Sequence, residues 1–292
     1  MSVQHHTQDS MSTFYQYPPS HDSVAVATSL SIMMEKEQKV YKKHDYLYSI
    51  IDDTMLAKVT ESDRLQIVDW CYELVDRLQY DRETVAMAME LTDRYLSSPS
   101  DDACKARHDR YHFQLIAMTA LYTVIKTRTQ LALGSDFFSA ISEYSINQIE
   151  TTEMSLLRGL SWHLNAPTSL EICHHILSLI LPRVKLQQAV EEFVLDEVTY
   201  QTGISVHSYH LCMQRQSTVA MAAIFNTVRQ INKKDKQAIL RTLRLVTNNY
   251  DAFDSMDVII KCRNELASCT NDNENIVRGD HVQVQVVEVH AF

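Results

Sequence analysis

Ala117-Met118-Thr119-Ala120-Leu121-Tyr122 returns 103 residues later as Ala220-Met221-Ala222-Ala223-Ile224-Phe225. At the same offset Ile125-Lys126 falls on Val228-Arg229, and Leu156-Leu157-Arg158 falls on Ile259-Ile260-Lys261. Separate segments sharing one offset indicate an internal duplication, two units of about 100 residues with a common fold. Residues 110 to 127 are apolar nearly all round, which marks a buried central helix, and their Ala and Thr residues let neighbours approach closely.

Outward from that helix the pattern stays helical. Thr60-Glu61-Ser62-Asp63 supplies capping residues, and Ile67, Val68, Cys71, Leu74, Val75 and Leu78 line one face behind them. A second helix is predicted from Asp81 to Ser97, and two more near 135–143 and 145–160, with Gly159 placed oddly in a last turn. Ser97 to Arg107 reads as a loop or a loop plus a turn. Asn165-Ala166-Pro167-Thr168 breaks the chain and restarts it with a capping residue, so the domain boundary belongs there. Residues 1–27 are polar and mixed and read as a disordered tail, and an amphipathic helix starts at Leu30. The expected division is 1–27 tail, 28–165 first domain with its leading helix, 166–268 second domain, and 269–292 tail. Val282 to Val289 alternates like a strand.

Composition narrows the class. Four Gly and five Pro in 292 residues leave little material for tight turns, which argues for an all-α protein. With 27 Lys and Arg against 37 Asp and Glu the formal charge is −10, a poor match to DNA or anionic lipid. Ile176 to Leu181 is the longest apolar stretch, far short of the roughly 20 residues that span a bilayer. No apolar signal segment follows the first residues, and the six Cys form no CxxC pair, so reduced, buried thiols in an intracellular protein are expected.

Chemistry-bearing motifs are few. Cys104, His108 and His112 stand at i, i+4, i+8, but Lys105, Arg107 and Arg110 among them make a poor cation setting, and surface histidines are the simpler reading. Cys173-His174-His175 reads as one buried thiol with two ordinary histidines. GxSxG, GxxxxGK and GxGxxG are absent, so neither a catalytic role nor a cofactor is expected. Arg64 shares a stripe with Val68, Cys71 and Val75, and Asp93 shares one with Val85, Met89 and Leu96. A guanidinium aimed inward needs a carboxylate, so Arg64 and Asp93 are expected to pair across the first two helices. Ser98-Pro99 is a candidate phosphorylation site in a loop.

These residues together resemble the cyclin family. Arg64-Leu65-Gln66-Ile67-Val68-Asp69-Trp70 is similar to the first-helix signature of the cyclin box, and Asp93-Arg94-Tyr95-Leu96-Ser97 to its second-helix signature. Gln114 to Lys126 resembles the third helix, and Glu153 to Thr168 the fifth helix and the exit into the second box. The likeness covers about residues 28 to 268; Leu30 to Leu47 is most similar to D-type and related G1 cyclins, although no Leu-x-Cys-x-Glu motif is present.

The resemblance implies two tandem five-helix cyclin boxes with an extra N-terminal helix and flexible tails. It implies a regulatory subunit that binds and activates a cyclin-dependent protein kinase by packing on the kinase αC helix, in cell-cycle control, in the nucleus or cytoplasm. The family's kinase-gripping positions fall on Lys126 and Glu153. Its substrate-docking patch is matched at Ile67, Trp70, Glu73 and Gln114 but carries Asp63 and Gln66 where the family has Met and Ile, so it reads as degenerate. Thr127-Arg128-Thr129 replaces the acidic residues that often follow the family Lys. Implied partners are the kinase, in a heterodimer, and protein substrates or inhibitors, with no nucleic acid and no membrane. Competing classes are a transcriptional or nutrient-signalling cyclin, a kinase-independent adaptor of this fold and, last, a metal phosphohydrolase.

Overall fold

Thr60 starts the first long helix of the N-terminal half with a reciprocal cap. Its backbone N–H donates to Asp63 Oδ2 (2.8 Å), and the Asp63 N–H donates to Thr60 Oγ1 (3.3 Å). Ser145 and Gln148 repeat this box, and Ser100, Thr168, Ser208 and Asn232 each cap a helix through the side-chain oxygen. Each such cap contributes about 1 kcal/mol.

The computed structural model describes residues 23–48, 59–128, 133–248, 250 and 253–279. Among them the helices are α1 (Ser23–Lys39), α2 (Glu61–Arg77), α3 (Glu83–Leu96), α4 (Asp101–His108), α5 (Arg110–Arg128), α6 (Ser135–Ala140) and α7 (Ile146–Gly159). There follow α8 (Ser169–Ile180), α9 (Gln188–Ser205), α10 (Tyr209–Met213), α11 (Gln216–Gln230), α12 (Lys233–Thr247) and α13 (Met256–Gly279). No strand occurs among the described residues.

The order of α2 to α7 recurs as α8 to α13, six helices in each half with the fourth of them central. The central helices are α5 and α11, the pair that carries the repeated sequence. Every residue of α5 from Leu115 to Ile125 is buried, as is α11 from Ser217 to Ile224. Two cores result. Val68, Val75, Met89, Phe113, Leu121 and Leu156 belong to the first, and Ile172, Ile176, Val194, Ala223, Ile239 and Leu266 to the second. Gly159 has a packing reason: a Cβ there would lie 2.6 Å from the Tyr95 ring, so its absence lets α3 and α7 close.

Four sequence expectations need correction. The leading helix begins at Ser23 rather than Leu30, and Val26, four residues before Leu30 on the same stripe, is buried. That stripe, Val26, Leu30 and Met34, sits in the second core, so α1 packs on the second domain although it precedes the first. Ser97–Arg107 is not simply a loop. Ser100 caps α4, Ala103 and Ala106 are buried beneath it, and the Arg107 guanidinium donates to the Leu96 (2.6 Å) and Ser98 (3.0 Å) carbonyls. At the other end α13 runs past residue 268 to Gly279, since neither Pro nor Gly interrupts it before then. No disulfide joins the six cysteines, yet only Cys71, Cys173 and Cys262 are buried, while Cys104 is exposed. Residues 1–22 and Val282 to Val289 lie outside the described residues.

Polar groups join the halves. Arg64 is fully buried; its Nε donates to Asp93 Oδ1 (3.1 Å), its Nη2 to Asp93 Oδ2 (2.8 Å) and its Nη1 to the Val206 carbonyl (2.8 Å). Tyr46 donates its hydroxyl to Asp93 Oδ1 (2.8 Å), and Tyr209 Oη accepts the Tyr46 N–H (2.9 Å). Glu37 of α1 caps α11 from outside, accepting from the Ser217 N–H (2.9 Å) and hydroxyl (2.7 Å). At the linker, the Thr168 hydroxyl donates to the buried Glu83 carboxyl.

Replacing Arg64 by Ala strands Asp93 in the core and is expected to destabilise the fold by on the order of 3–5 kcal/mol in chemical denaturation. Substituting Arg64 and Asp93 together with apolar residues recovers much of that loss. Glu83 supplies a pH signature: burial pushes its carboxyl up to about 7, against the Thr168 bond that lowers it. The folded chain therefore holds a proton that the unfolded chain releases near 4.5. This contribution is full below pH 4.5 and fades as pH rises through about 7. Melting curves of Glu83→Gln against the parent should diverge across that window, the parent losing stability relative to the variant as pH rises.

Candidate protein-interaction face

The apolar run of α5 ends at Ile125, and the next residue, Lys126, emerges into solvent at the helix C-terminus, where a cation complements the dipole. Its Nζ donates to Glu153 Oε2 (3.0 Å) and Oε1 (3.1 Å) and stands 5.2 Å from the centroid of the Tyr122 ring. α7 turns Ile149, Glu153, Leu156 and Leu157 inward, so the Glu153 carboxylate sits within that buried stripe. The Lys126 side chain is 47% exposed and that of Glu153 only 11%. The hydrogen bond to Glu153 raises the Lys126 pKa despite partial desolvation. The pair is thus a surface charge couple with one firmly seated member.

Beyond Glu153 the chain leaves α7 through a turn that presents an aromatic ring. Ser161 and Trp162 have φ of 50° and 63°, in the left-handed region that L-residues occupy at a cost. The Trp162 N–H donates to the Leu157 carbonyl and the Ser161 N–H to that of Arg158, both at 2.9 Å. This is a Schellman cap with Ser where Gly is usual. Gln79 caps α2 in the same way, with φ of 57°. Trp162 is 63% exposed, and Met154, on the helix that carries Glu153, is exposed as well.

The exit segment is anchored from both sides. Arg94 Nη2 donates to the His163 carbonyl (2.7 Å), and Arg128 Nη2 donates to Asn165 Oδ1 (2.9 Å). Sequence reasoning placed Arg94 and Trp162 within family motifs and Arg128 at a departure from the family, but assigned none of the three a contact. Only the fixed left-handed turn reveals that the indole is presented rather than packed. A large aromatic residue immediately after a helix C-terminus, outside any apolar stripe, was the available signal.

The docking positions are scattered by burial. Ile67 is buried, Trp70 and Gln114 are half-buried, and Glu73 is exposed and paired with Arg77 on its own helix. Asp63, besides capping α2, pairs with Arg110 Nε (2.9 Å). Arg64 and Asp93 pair in the core as expected. Ser98 is half-buried, its hydroxyl 3.1 Å from that of Ser100. Among the described residues no three His, Cys, Asp or Glu side chains gather as a metal site. α4 ends at His108 and α5 begins at Arg110, so Cys104, His108 and His112 do not share one helix, and His112 hydrogen-bonds Asp109 (2.8 Å) instead. Among the described residues no helix is long and apolar enough to cross a membrane.

Residues 28–165 match the family described as cyclin, N-terminal domain. Relatives include the G2/mitotic-specific cyclin-2 of Antirrhinum majus, 24% identical over 73% of this chain and 46% of that protein. Cyclin-B1-3 of Oryza sativa subsp. japonica is 26% identical over 70% of this chain and 41% of the relative. The chain therefore spans less than half the length of these proteins. The fold is shared with a viral cyclin from herpesvirus saimiri at a TM-score of 0.58 and 13% identity, covering 82% of this chain and 97% of that one. It is shared also with a chain of the CAK complex of Chaetomium thermophilum bound to ATP-gamma-S, at a TM-score of 0.52 and 16% identity over 88% of this chain and 81% of that one. The relatives named here are mitotic and B-type, so the D-type likeness of the leading segment gains no support from them.

Ser161 gives a direct test of the turn that presents Trp162. A Gly at this left-handed position removes a conformational cost of about 1 kcal/mol. Ser161→Gly is expected to melt a few degrees higher than the parent, while the same change at Ser155, inside α7, lowers the melting temperature.

Proposed function

We propose that this chain, whose residues 28–165 match the family described as cyclin, N-terminal domain, is a regulatory subunit that binds and activates a cyclin-dependent protein kinase in cell-cycle control. The observation that carries this reading is the Lys126–Glu153 couple at the surface, with exposed apolar side chains on the same helix and in the turn beyond it. The mitotic-specific names of its relatives support the cell-cycle assignment.

The physical logic concerns the kinase αC helix. Phosphoryl transfer by a protein kinase requires a Lys–Glu ion pair, and the position of αC decides whether it forms. A rigid helical face that holds αC in place therefore shifts the kinase toward its active arrangement. Trp162 and Met154 supply apolar surface for burial, and aromatic anchors dominate such interfaces. Lys126 presents donors that can accommodate partner carbonyls without giving up Glu153. Glu153 holds Lys126 in place and offers an acceptor to a basic partner group. Because α5 is buried along its length and α7 packs against it, the face is preorganised.

Combined Lys126→Ala and Glu153→Ala should lower kinase affinity and activation at least tenfold, about 1.4 kcal/mol. Trp162→Ala should do the same, and none of these variants should shift the melting curve by more than a few degrees. The measurement is a titration of purified chain into candidate kinases with phosphorylation of a peptide as readout. Unchanged affinity in well-folded variants would reject this face as the kinase interface, and early melting would assign the couple to stability instead.

A further inference from the structure

The second half of the chain carries a charge distribution that neither its packing nor the face above explains. α12 turns Ile239, Leu243 and Val246 into the second core. Its outer surface holds Lys233, Lys234, Arg241 and Arg244, all exposed, with Lys236 half-buried. Its sequence has five cations and one acid, in a chain of net charge −10. The acid is already engaged: the Asp235 N–H donates to Asn232 Oδ1 (3.0 Å), and Asn232 Nδ2 donates to Asp235 Oδ2 (2.6 Å). Among the described residues none of the five cations lies within ion-pairing distance of a carboxylate.

Helix stability does not account for this placement. Lys233, Lys234 and Lys236 stand in the first turn, at the positive end of the helix dipole, where cations are unfavourable and acids belong. Arg241 and Arg244, three residues apart on the same side, repel each other. The packing of α12 needs only its apolar stripe.

We propose that the outer face of α12 binds a short acidic segment of a protein partner. Lys234, Arg241 and Arg244 span about 15 Å at a rise of 1.5 Å per residue, the length of about four or five extended residues. Arginine forks take carboxylates in bidentate fashion, which gives such a segment orientation as well as attraction. A membrane surface fits poorly, because the apolar stripe that would insert is turned into the core. Duplex DNA fits poorly too, since its binding typically rests on about 6–10 phosphate contacts and the rest of this chain is acidic. The ends of the chain do not supply the segment: residues 1–22 hold only Asp9 and Asp22 as acids, and 280–292 only Asp280 and Glu288.

The test is fluorescence anisotropy of the full chain with a labelled octapeptide of alternating Glu and Asp. A 20-bp DNA duplex and phosphatidylserine vesicles serve as comparison probes. The octapeptide should bind at 50 mM salt, weaken several-fold at 200 mM, and bind more tightly than either comparison probe. The triple variant Lys234→Glu, Arg241→Glu, Arg244→Glu should lose at least tenfold in affinity with an unchanged melting curve. Should that variant fail to fold, the triple Gln variant decides, with an expected loss of at least threefold. Absence of peptide binding at low salt, equal binding by the charge variants, or tighter binding of DNA or vesicles would each overturn the proposal. None of these readouts depends on a kinase.

Discussion

Everything in this fold is arranged around the buried Arg64–Asp93 pair. Two charges without water are costly, and their attraction offsets that cost only when every donor and acceptor is engaged. Here the guanidinium spends two nitrogens on Asp93 and a third on the Val206 carbonyl, while Asp93 also accepts from Tyr46. The pair therefore binds four chain segments: α2, α3, the strap around Tyr46 and the turn after α9. Since Val206 belongs to the second half, the junction between domains is held by the same guanidinium that holds the first two helices together. An apolar substitute of equal volume could fill the space but could not select one register of the two halves.

The face that carries Lys126, Glu153 and Trp162 inherits its rigidity from that arrangement. Arg94, next to Asp93 on α3, reaches the His163 carbonyl in the exit turn. The segment that presents Trp162 is thus fixed one residue away from the buried pair. Surface recognition and core electrostatics are neighbours on one helix.

How much of this could be read from sequence depended on whether the deciding force was local. The duplication, the caps at Thr60 and Thr168 and the inward aim of Arg64 and Asp93 follow from periodicity and side-chain chemistry, and the structure places them accordingly. The partner of α1 was not legible: an apolar stripe demands burial without saying against what, and the answer lay in the other domain. α4 was hidden because its composition is polar, and it forms through Ser100 and the reach of Arg107 to two carbonyls. The presentation of Trp162 was equally hidden, because left-handed turns are usually announced by Gly and here Ser161 takes that place. The pairing of Lys126 with Glu153 needed the packing of α5 on α7, which the family resemblance implied and spacing alone did not.

The attachment of α1 has a consequence for biosynthesis. Glu37 meets Ser217 across 180 residues of chain. At a translation rate of roughly 5–20 residues per second, α1 waits about 10–40 s for its docking surface to be made. During that interval Val26, Leu30 and Met34 have no core to enter, and the first domain must fold beside an unoccupied apolar stripe. Docking of α1 is then the event that closes the chain on itself, and the interval before it is when the nascent protein has most need of a chaperone.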